Sequence, residues 1–332
     1  MKAVMMTAVG GPEVLQWRDV PVPDIQHPHE LRVSIKAAGV NPVDTKLRKR
    51  GTYFPDQLPT ILGCDGAGVV DAVGAQVTRF KVGDAVYFCN GGIGGAPGNY
   101  AQYCVINEHY AAPKPASLDF IHAAAVPLVL LTAWEALHER AQVRADDEVL
   151  IHAGAGGVGH IAVQLARIVG ARVCTTVGSQ AKADFAQTLG AEHGILYRQQ
   201  DFAAEAVAWS HGGGVNLVLD TVGGATFARS FTAARVYGDV VTLLQPDNNV
   251  DWKVAREKSL RVSFELMLTP MFLDLHAARL RQTKILEHGA ALFDRGQLRV
   301  VVSEVLPLQD AARAHQLMER GGIQGKIVLS VD

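Results

Sequence analysis

The sequence predicts an α/β protein of two domains, a partly closed β-barrel-like domain and a doubly wound parallel-sheet domain. Three observations carry that prediction. The 332 residues suffice for about two domains, each with its own core. The first part of the chain reads as short strands broken by turn residues, the pattern of a small barrel. From Ala145 onward, short apolar strands alternate with stretches of helical periodicity, the pattern of a parallel sheet covered on both faces.

Glu30–Lys36 alternates apolar and polar residues at period two, as a half-buried strand does. Gly66–Gly74 and Asp84–Phe88 continue the strand series, with glycines at or beside their ends. In the second region Glu148–His152 is a short apolar strand. A glycine loop follows it, and then Ile161, Ala162, Leu165, Ala166 and Ile168 fall at roughly helical spacing. Ala171–Val177 predicts the next strand and Lys182–Leu189 the next helix, with further strands at Asn216–Asp220 and Asp239–Leu244. After Thr269 a long helical stretch leads to a last strand, Lys326–Ser330.

Composition removes several functions. Lys and Arg number 31 against 33 Asp and Glu, a net charge of −2, and no basic run is interleaved with aromatics. Nucleic acid and anionic membrane surfaces are therefore disfavoured as partners. The longest apolar run, Ala123–Trp134, contains Pro127 and Thr132 and falls short of the ~18–20 residues of a membrane span. The amino terminus lacks the pattern of a signal peptide. Cys64, Cys89, Cys104 and Cys174 form no C-x-x-C, which argues against a disulfide framework or a zinc ribbon and favours a reducing, cytoplasmic setting.

Thirty-three glycines are about one residue in ten, above the ~7% average. Four of them fall in Gly154-Ala155-Gly156-Gly157-Val158-Gly159, a G-x-G-x-x-G sequence between a strand and a helix. In that context the glycines allow a tight turn and a close approach of backbone to pyrophosphate, and the helix start faces the phosphate charge. Dinucleotide binding is the expectation; a mere tight turn is the plainer alternative. In NAD sites an acid about 20 residues on holds the ribose 2′-hydroxyl. The second strand here ends Val177-Gly178-Ser179-Gln180-Ala181-Lys182, with no acid before Asp184. Ser179 and Lys182 can donate to a 2′-phosphate, and Tyr197 and Arg198 can add to its pocket, so NADPH is the expected cofactor. A solvated helix residue is the plainer reading of Lys182.

With these motifs in place the chain resembles a medium-chain dehydrogenase/reductase, of the zinc-independent quinone oxidoreductase (zeta-crystallin-like) branch. The resemblance runs along nearly the whole sequence. It is carried by Asn41-Pro42-Val43-Asp44-Thr45, by Pro59 with Gly63, Asp65, Gly68 and Val70, and by Phe80-Lys81-Val82-Gly83-Asp84 with Val86. Further along it rests on Gly98, Tyr100, Ala101 and Tyr103, on Pro127 through Thr132-Ala133-Trp134, on the glycine loop, on Asp220 with Val222-Gly223-Gly224, and on Gly325-Lys326-Ile327-Val328. The resemblance implies a GroES-like catalytic domain from residues 1–125 and 270–332 and a Rossmann domain over residues 126–269. It also implies a homodimer or tetramer. It places Asn41 and Thr132 near the nicotinamide, adds Lys326 to the cofactor set, and puts Tyr53 at the substrate cleft.

Zinc-using relatives carry a cysteine near the place of Asn41 and a histidine where Cys64 stands, so the usual ligand set is broken and no metal is expected. Without a metal to stabilise an alkoxide, the easier hydride acceptors are conjugated ones. Quinones, enones and enoyl thioesters spread the charge over themselves. Asn41 and Tyr53 can donate to the acceptor oxygen, Tyr53 being the better proton source despite a pKa near ~10. Asp44 is a candidate for catalysis and, with Asp65, for bracing the cleft. Reduction of quinones leads; reduction of enones or enoyl-CoA is the rival within the enzymes, and a non-catalytic NADPH-binding role the rival outside them.

The remaining conspicuous residues have plain readings. Lys46, Arg48, Lys49 and Arg50 read as a solvated face, with a site for a phosphate-bearing substrate tail as the alternative. His152 is expected to make a structural hydrogen bond, and His27 and His29 have no third ligand nearby in sequence. Cys64 reads as a small buried residue, and Met267 and Met271 as packing residues. The glycines of Gly91–Gly98 read as a flexible loop.

Overall fold

Alternation along the third strand sets the architecture of the first part of the chain. The strands there are β1 (Lys2–Met6), β2 (Leu15–Asp19), β3 (Glu30–Val40), β4 (Thr60–Ile61), β5 (Asp65–Val73), β6 (Ala85–Cys89), β7 (Tyr103–Asn107) and β8 (Ala112–Pro113). Leu31, Val33 and Ile35 of β3 are buried at every second position, whereas Lys36 is exposed. Alternation stops there because both faces become covered, so β3 runs four residues beyond its predicted end with Ala37–Val40 all buried. A Cβ on Gly39 would lie 2.3 Å from the carbonyl oxygen of Ala124, in the helix Phe120–Ala124 that covers the strand.

The second region forms β9 (Glu148–His152), β10 (Arg172–Val177), β11 (His193–Leu196), β12 (Val215–Asp220), β13 (Ala234–Thr242) and β14 (Arg261–Phe264). These six strands are parallel and lie in the order β11-β10-β9-β12-β13-β14. The order reverses between β9 and β12, the place where such sheets bind ligands outside the carboxyl ends of their strands. Val149, Leu150 and Ile151 are fully buried, as a central parallel strand demands. The helix Gly157–Val169 buries Ile161, Ala162, Leu165 and Ala166, but Ile168 falls off that stripe and is 41% exposed. β13 starts five residues before its predicted Asp239, where its register against β12 is irregular and Tyr237 has φ of 60°.

The chain then supplies β15 (Val302–Pro307) and β16 (Lys326–Ser330) to the first sheet, whose order is β15-β16-β3-β5-β6-β8, with β7 also paired to β3. β1 lies between β2 and β4 in a separate small sheet. The predicted long helical stretch is two helices, Thr269–Phe272 and His276–Asp294, parted by Asp274 at φ 50°. The computed structural model describes residues 1–332. The chain divides into two compact units, residues 1–131 with 268–332, and residues 132–267. No helix is long and apolar enough to cross a membrane.

Candidate active site

In the central unit β9 runs through Ala153, at φ 52°, into the glycine loop. The Gly154 N–H donates to Thr175 Oγ1 at 2.9 Å, and that hydroxyl donates to the Ile151 carbonyl at 2.5 Å. A Cβ on Gly154 would lie 2.1 Å from Thr175 Oγ1, and one on Gly159 2.2 Å from the Ala153 carbonyl oxygen. Packing of the turn itself therefore demands glycine at both. Gly156 differs. A Cβ there would meet only Ala153, its oxygen at 3.2 Å and its Cβ at 3.9 Å, and the backbone is extended with φ −83°. Gly156 caps the helix Gly157–Val169 with no side chain, leaving the first-turn N–H groups of Gly157 and Val158 to an outside acceptor. The loop fits a dinucleotide pyrophosphate.

Ser179 and Lys182 follow β10 and Tyr197 follows β11, one strand away from the glycine loop. The two strands pair in parallel with Val177 opposite Leu196. Ser179 is exposed and precedes the helix Gln180–Thr188 without using its hydroxyl as a cap. Tyr197, 50% exposed, brings its hydroxyl to 3.3 Å from where a Gly178 Cβ would sit, and the Arg198 guanidinium lies 5.9 Å from its ring centre. Lys182 is half-buried in the first turn of that helix, and Thr132 is buried in the helix Pro127–Trp134. His152 has the structural role expected of it. Its ring meets Thr176 Oγ1 and Ser230 Oγ, both at 3.0 Å, and burial lowers its pKa to about 4, keeping it neutral.

The first unit holds a buried polar cluster centred on Asn41, which starts the helix Pro42–Arg50. The Asn41 N–H donates to Asp44 Oδ2 at 2.8 Å, half of a capping box. Its side-chain Nδ2 donates to Asp65 Oδ2 at 2.9 Å, and its Oδ1 accepts from Lys326 Nζ. Lys326 Nζ also lies 3.4 Å from Asp65 Oδ2, and Asp65 Oδ1 accepts from the Leu128 N–H at 2.8 Å. Asn41, Asp44 and Asp65 are fully buried and Lys326 is 2% exposed. The structure thus unites Asn41, Asp44, Asp65 and Lys326, with the Lys326 ammonium held between Asn41 and Asp65. Asp44, with Tyr100 donating to it at 2.9 Å, likewise presents no face to solvent.

Tyr53 stands apart from that cluster. Its ring is 39% exposed and stacks on Phe272 with centres 4.7 Å apart. Partial burial, and secondarily the nearby Cys64, raise its pKa above the usual 10.0, so it is a weaker acid than the free side chain.

Several residues depart from their sequence readings. Arg48 is fully buried and paired to Glu319, because positions 44, 45, 47 and 48 make up the inner face of its helix. The Gly91–Gly98 loop is packed rather than flexible: Gly91, Gly92, Gly94 and Gly98 are buried, and a Cβ on Gly91 would lie 2.1 Å from the Pro97 oxygen. Met271 does more than pack, its sulfur accepting from the Gly91 N–H at 3.1 Å. Cys64 is buried as expected, but its thiol hydrogen-bonds Cys89, and that bond first, then burial, pushes its pKa well up. His29, 79 positions away in sequence, meets Glu108. The Tyr100–His315 contact at 3.3 Å was invisible in sequence because nothing marks residues 215 positions apart as neighbours.

Burial raises the Asp44 pKa from an ordinary 3.8 to about 7, against the hydrogen bonds from Asn41 and Tyr100. The folded state thus holds this proton more tightly than the unfolded chain. Its stabilising effect is complete below about pH 4 and is lost as pH rises through about 7. Asp44→Asn removes the titration, so urea unfolding should show the variant gaining on wild type by on the order of 2–4 kcal/mol between pH 4 and 8. A pH-independent difference contradicts the assignment.

Comparison with known proteins adds the context for these two constellations. Residues 27–116 match the alcohol dehydrogenase GroES-like domain family, and residues 189–329 match the family described as zinc-binding dehydrogenase. The chain is 34% identical to a quinone oxidoreductase of Pseudomonas aeruginosa, over 99% of each chain. It is also 34% identical to a 2-haloacrylate reductase of Burkholderia sp, over 98% of each. Among solved structures, the Escherichia coli quinone oxidoreductase complexed with NADPH superposes with a TM-score of 0.89 at 33% identity, covering 99% of this chain and 100% of that one.

Proposed function

The chain belongs to the quinone oxidoreductase branch of the medium-chain dehydrogenase/reductase superfamily, and from that premise we propose that it is an NADPH-dependent, zinc-independent reductase of quinones or similar conjugated carbonyl compounds. In this reading residues 132–267 form the dinucleotide-binding domain and residues 1–131 with 268–332 the catalytic domain. The observation that carries it is Gly156, at the uncapped start of a helix beside the sheet's switch point. Its added Cβ would press only on the Ala153 oxygen, at 3.2 Å, and so needs a shift of only a few tenths of an ångström.

When bound, NADPH supplies a hydride. The first-turn N–H groups of the helix Gly157–Val169 would hold its pyrophosphate, and Ser179 and Lys182, with Tyr197 on the neighbouring strand end, would donate to its 2′-phosphate. The NADPH complex of the similar Escherichia coli enzyme supports that choice of cofactor. Lys326, Asp65 and Asp44 act as positioning residues that fix Asn41, one of whose two side-chain N–H groups is committed to Asp65. Tyr53 is the exposed hydroxyl of the set. Its raised pKa keeps it protonated, a hydrogen-bond donor to an acceptor oxygen. Quinones suit such a site because the reduced ring spreads its charge and takes protons from water.

The donor chemistry around Asp65 does not fit a catalytic zinc. Such a site needs about three deprotonated ligands. Here both Asp65 oxygens are taken, the Lys326 ammonium already neutralises that carboxylate, and the Cys64 thiol resists deprotonation. The 2-haloacrylate reductase among the relatives favours a second reading, reduction of other activated alkenes such as enones or enoyl thioesters. We further read the protein as a cytoplasmic homodimer. Its four cysteines are unpaired, and Phe264 on the outer strand β14 is 57% exposed.

Calorimetric dissociation constants test the cofactor assignment. Wild type should prefer NADPH to NADH, and Lys182→Ala should weaken NADPH binding by ~10–150-fold while leaving NADH binding unchanged. Equal affinities in wild type would overturn it.

A further inference from the structure

Away from the buried cluster, the first unit brings together three residues with metal-ligating side chains that the proposed reduction does not use. His29 lies just before β3. Glu108 and His109 lie in the short 3-10 turn Glu108–Tyr110 after β7, which pairs with β3 through Glu30 opposite Asn107. Pairing of the two strands therefore places the His29 loop against the turn. One ligand atom from each of His29, Glu108 and His109 lies within 4.8 Å of the others. His29 Nδ1 and Glu108 Oε1 are 2.9 Å apart, and the ring centres of His29 and His109 are 5.6 Å apart.

The carboxylate is held as metal-ligating carboxylates are, by bonds that fix its orientation. Glu108 Oε2 accepts from the N–H groups of Thr78 at 2.9 Å and Arg79 at 2.7 Å, which leaves Oε1 turned toward His29. The backbone of His109 is fixed on both sides. Its N–H donates to Asn107 Oδ1 at 2.9 Å, and its carbonyl accepts from Thr283 Oγ1 at 2.8 Å. Both imidazoles are only half-buried, whereas Glu108 is fully buried, so the site opens to solvent on the histidine side and an ion can enter with water as a further ligand.

We propose that His29, Glu108 and His109 form a binding site for a borderline divalent transition-metal ion of the zinc class. Two imidazoles and one carboxylate suit such an ion and not magnesium, which prefers oxygen. Nitrogen and oxygen ligands at ~2.0–2.2 Å in a tetrahedron stand roughly 3.3–3.6 Å apart. The His29–Glu108 separation of 2.9 Å and the 4.8 Å bound on the others lie close to that spacing, so small turns of the half-exposed rings complete the set. The ion takes the place of the proton between His29 Nδ1 and Glu108 Oε1, which passes to His29 Nε2 or to water, and it ties the loop before β3 to the turn after β7.

Calorimetry of the full chain after chelator treatment tests this, with zinc chloride as titrant and magnesium chloride as control. One zinc ion should bind per chain and raise the melting temperature, with no effect of magnesium. His29→Ala and His109→Ala should each weaken zinc binding at least about tenfold, and the double variant should lose the thermal shift. Both side chains are part-exposed, so the variants should fold; His29→Gln and His109→Gln serve if an alanine variant does not. Cobalt visible spectra give a second readout, a nitrogen–oxygen set without a thiolate charge-transfer band. Zinc binding undiminished in the double variant, loss of binding on Cys89→Ser instead, or no binding by wild type overturns the proposal.

Discussion

Gly156→Val should raise the NADPH dissociation constant by about 100-fold or more while lowering the melting temperature by only a few degrees. The extended backbone at Gly156, φ −83° and ψ −177°, is open to any residue, and its added Cβ meets only Ala153. The side chain would instead fill the space from which a pyrophosphate reaches the helix start. Gly159→Ala should give the opposite pattern. Its Cβ would lie 2.2 Å from the Ala153 carbonyl oxygen, so the turn must move and stability falls first. Paired calorimetric and thermal measurements separate the two. Loss of stability without loss of affinity in Gly156→Val would mean that the glycine serves the turn and not a ligand.

Lys326→Met should destabilise the first unit by about 3–5 kcal/mol, because it leaves Asp65 buried without its cation. Burial already pushes the Asp65 carboxyl up, and Lys326 is the strongest force holding it down. Asp65→Asn in the same chain should recover more than half of the loss, since asparagine can still accept from the Leu128 N–H. A double-mutant cycle in urea should therefore give a coupling of roughly 2 kcal/mol or more. Additive losses would mean that the two side chains do not act as a pair.

Legibility in the sequence followed the range of the interactions. β9 and β16 were read to the residue because each is a short apolar run ended by a change of composition. The glycine loop was equally plain, since strand, turn and helix start are neighbours in the chain. Ends were lost where burial covered both faces, as at Ala37–Val40, or where a residue took an unusual backbone angle, as at Tyr237 and Asp274. The buried cluster was only half legible. Asn41 and Asp44 are three residues apart and stood out together, whereas the hydrogen bond from Lys326 to Asn41 spans 285 positions and has no local signature. Arg48 was misread for a related reason: a run of four basic residues conceals that one of them points inward to Glu319. Glu108 carried no signal at all, because what distinguishes it is the pair of backbone N–H groups it accepts from Thr78 and Arg79.

Oxidation of NADPH across a panel of acceptors, followed by its near-ultraviolet absorbance, tests the central claim most directly. The purified chain should turn over with quinones or with activated alkenes, at rates unchanged by prior chelation of zinc, and should leave simple saturated aldehydes unreduced. Reduction of simple aldehydes that depends on added zinc would contradict the account, as would tight NADPH binding with no turnover of any conjugated acceptor.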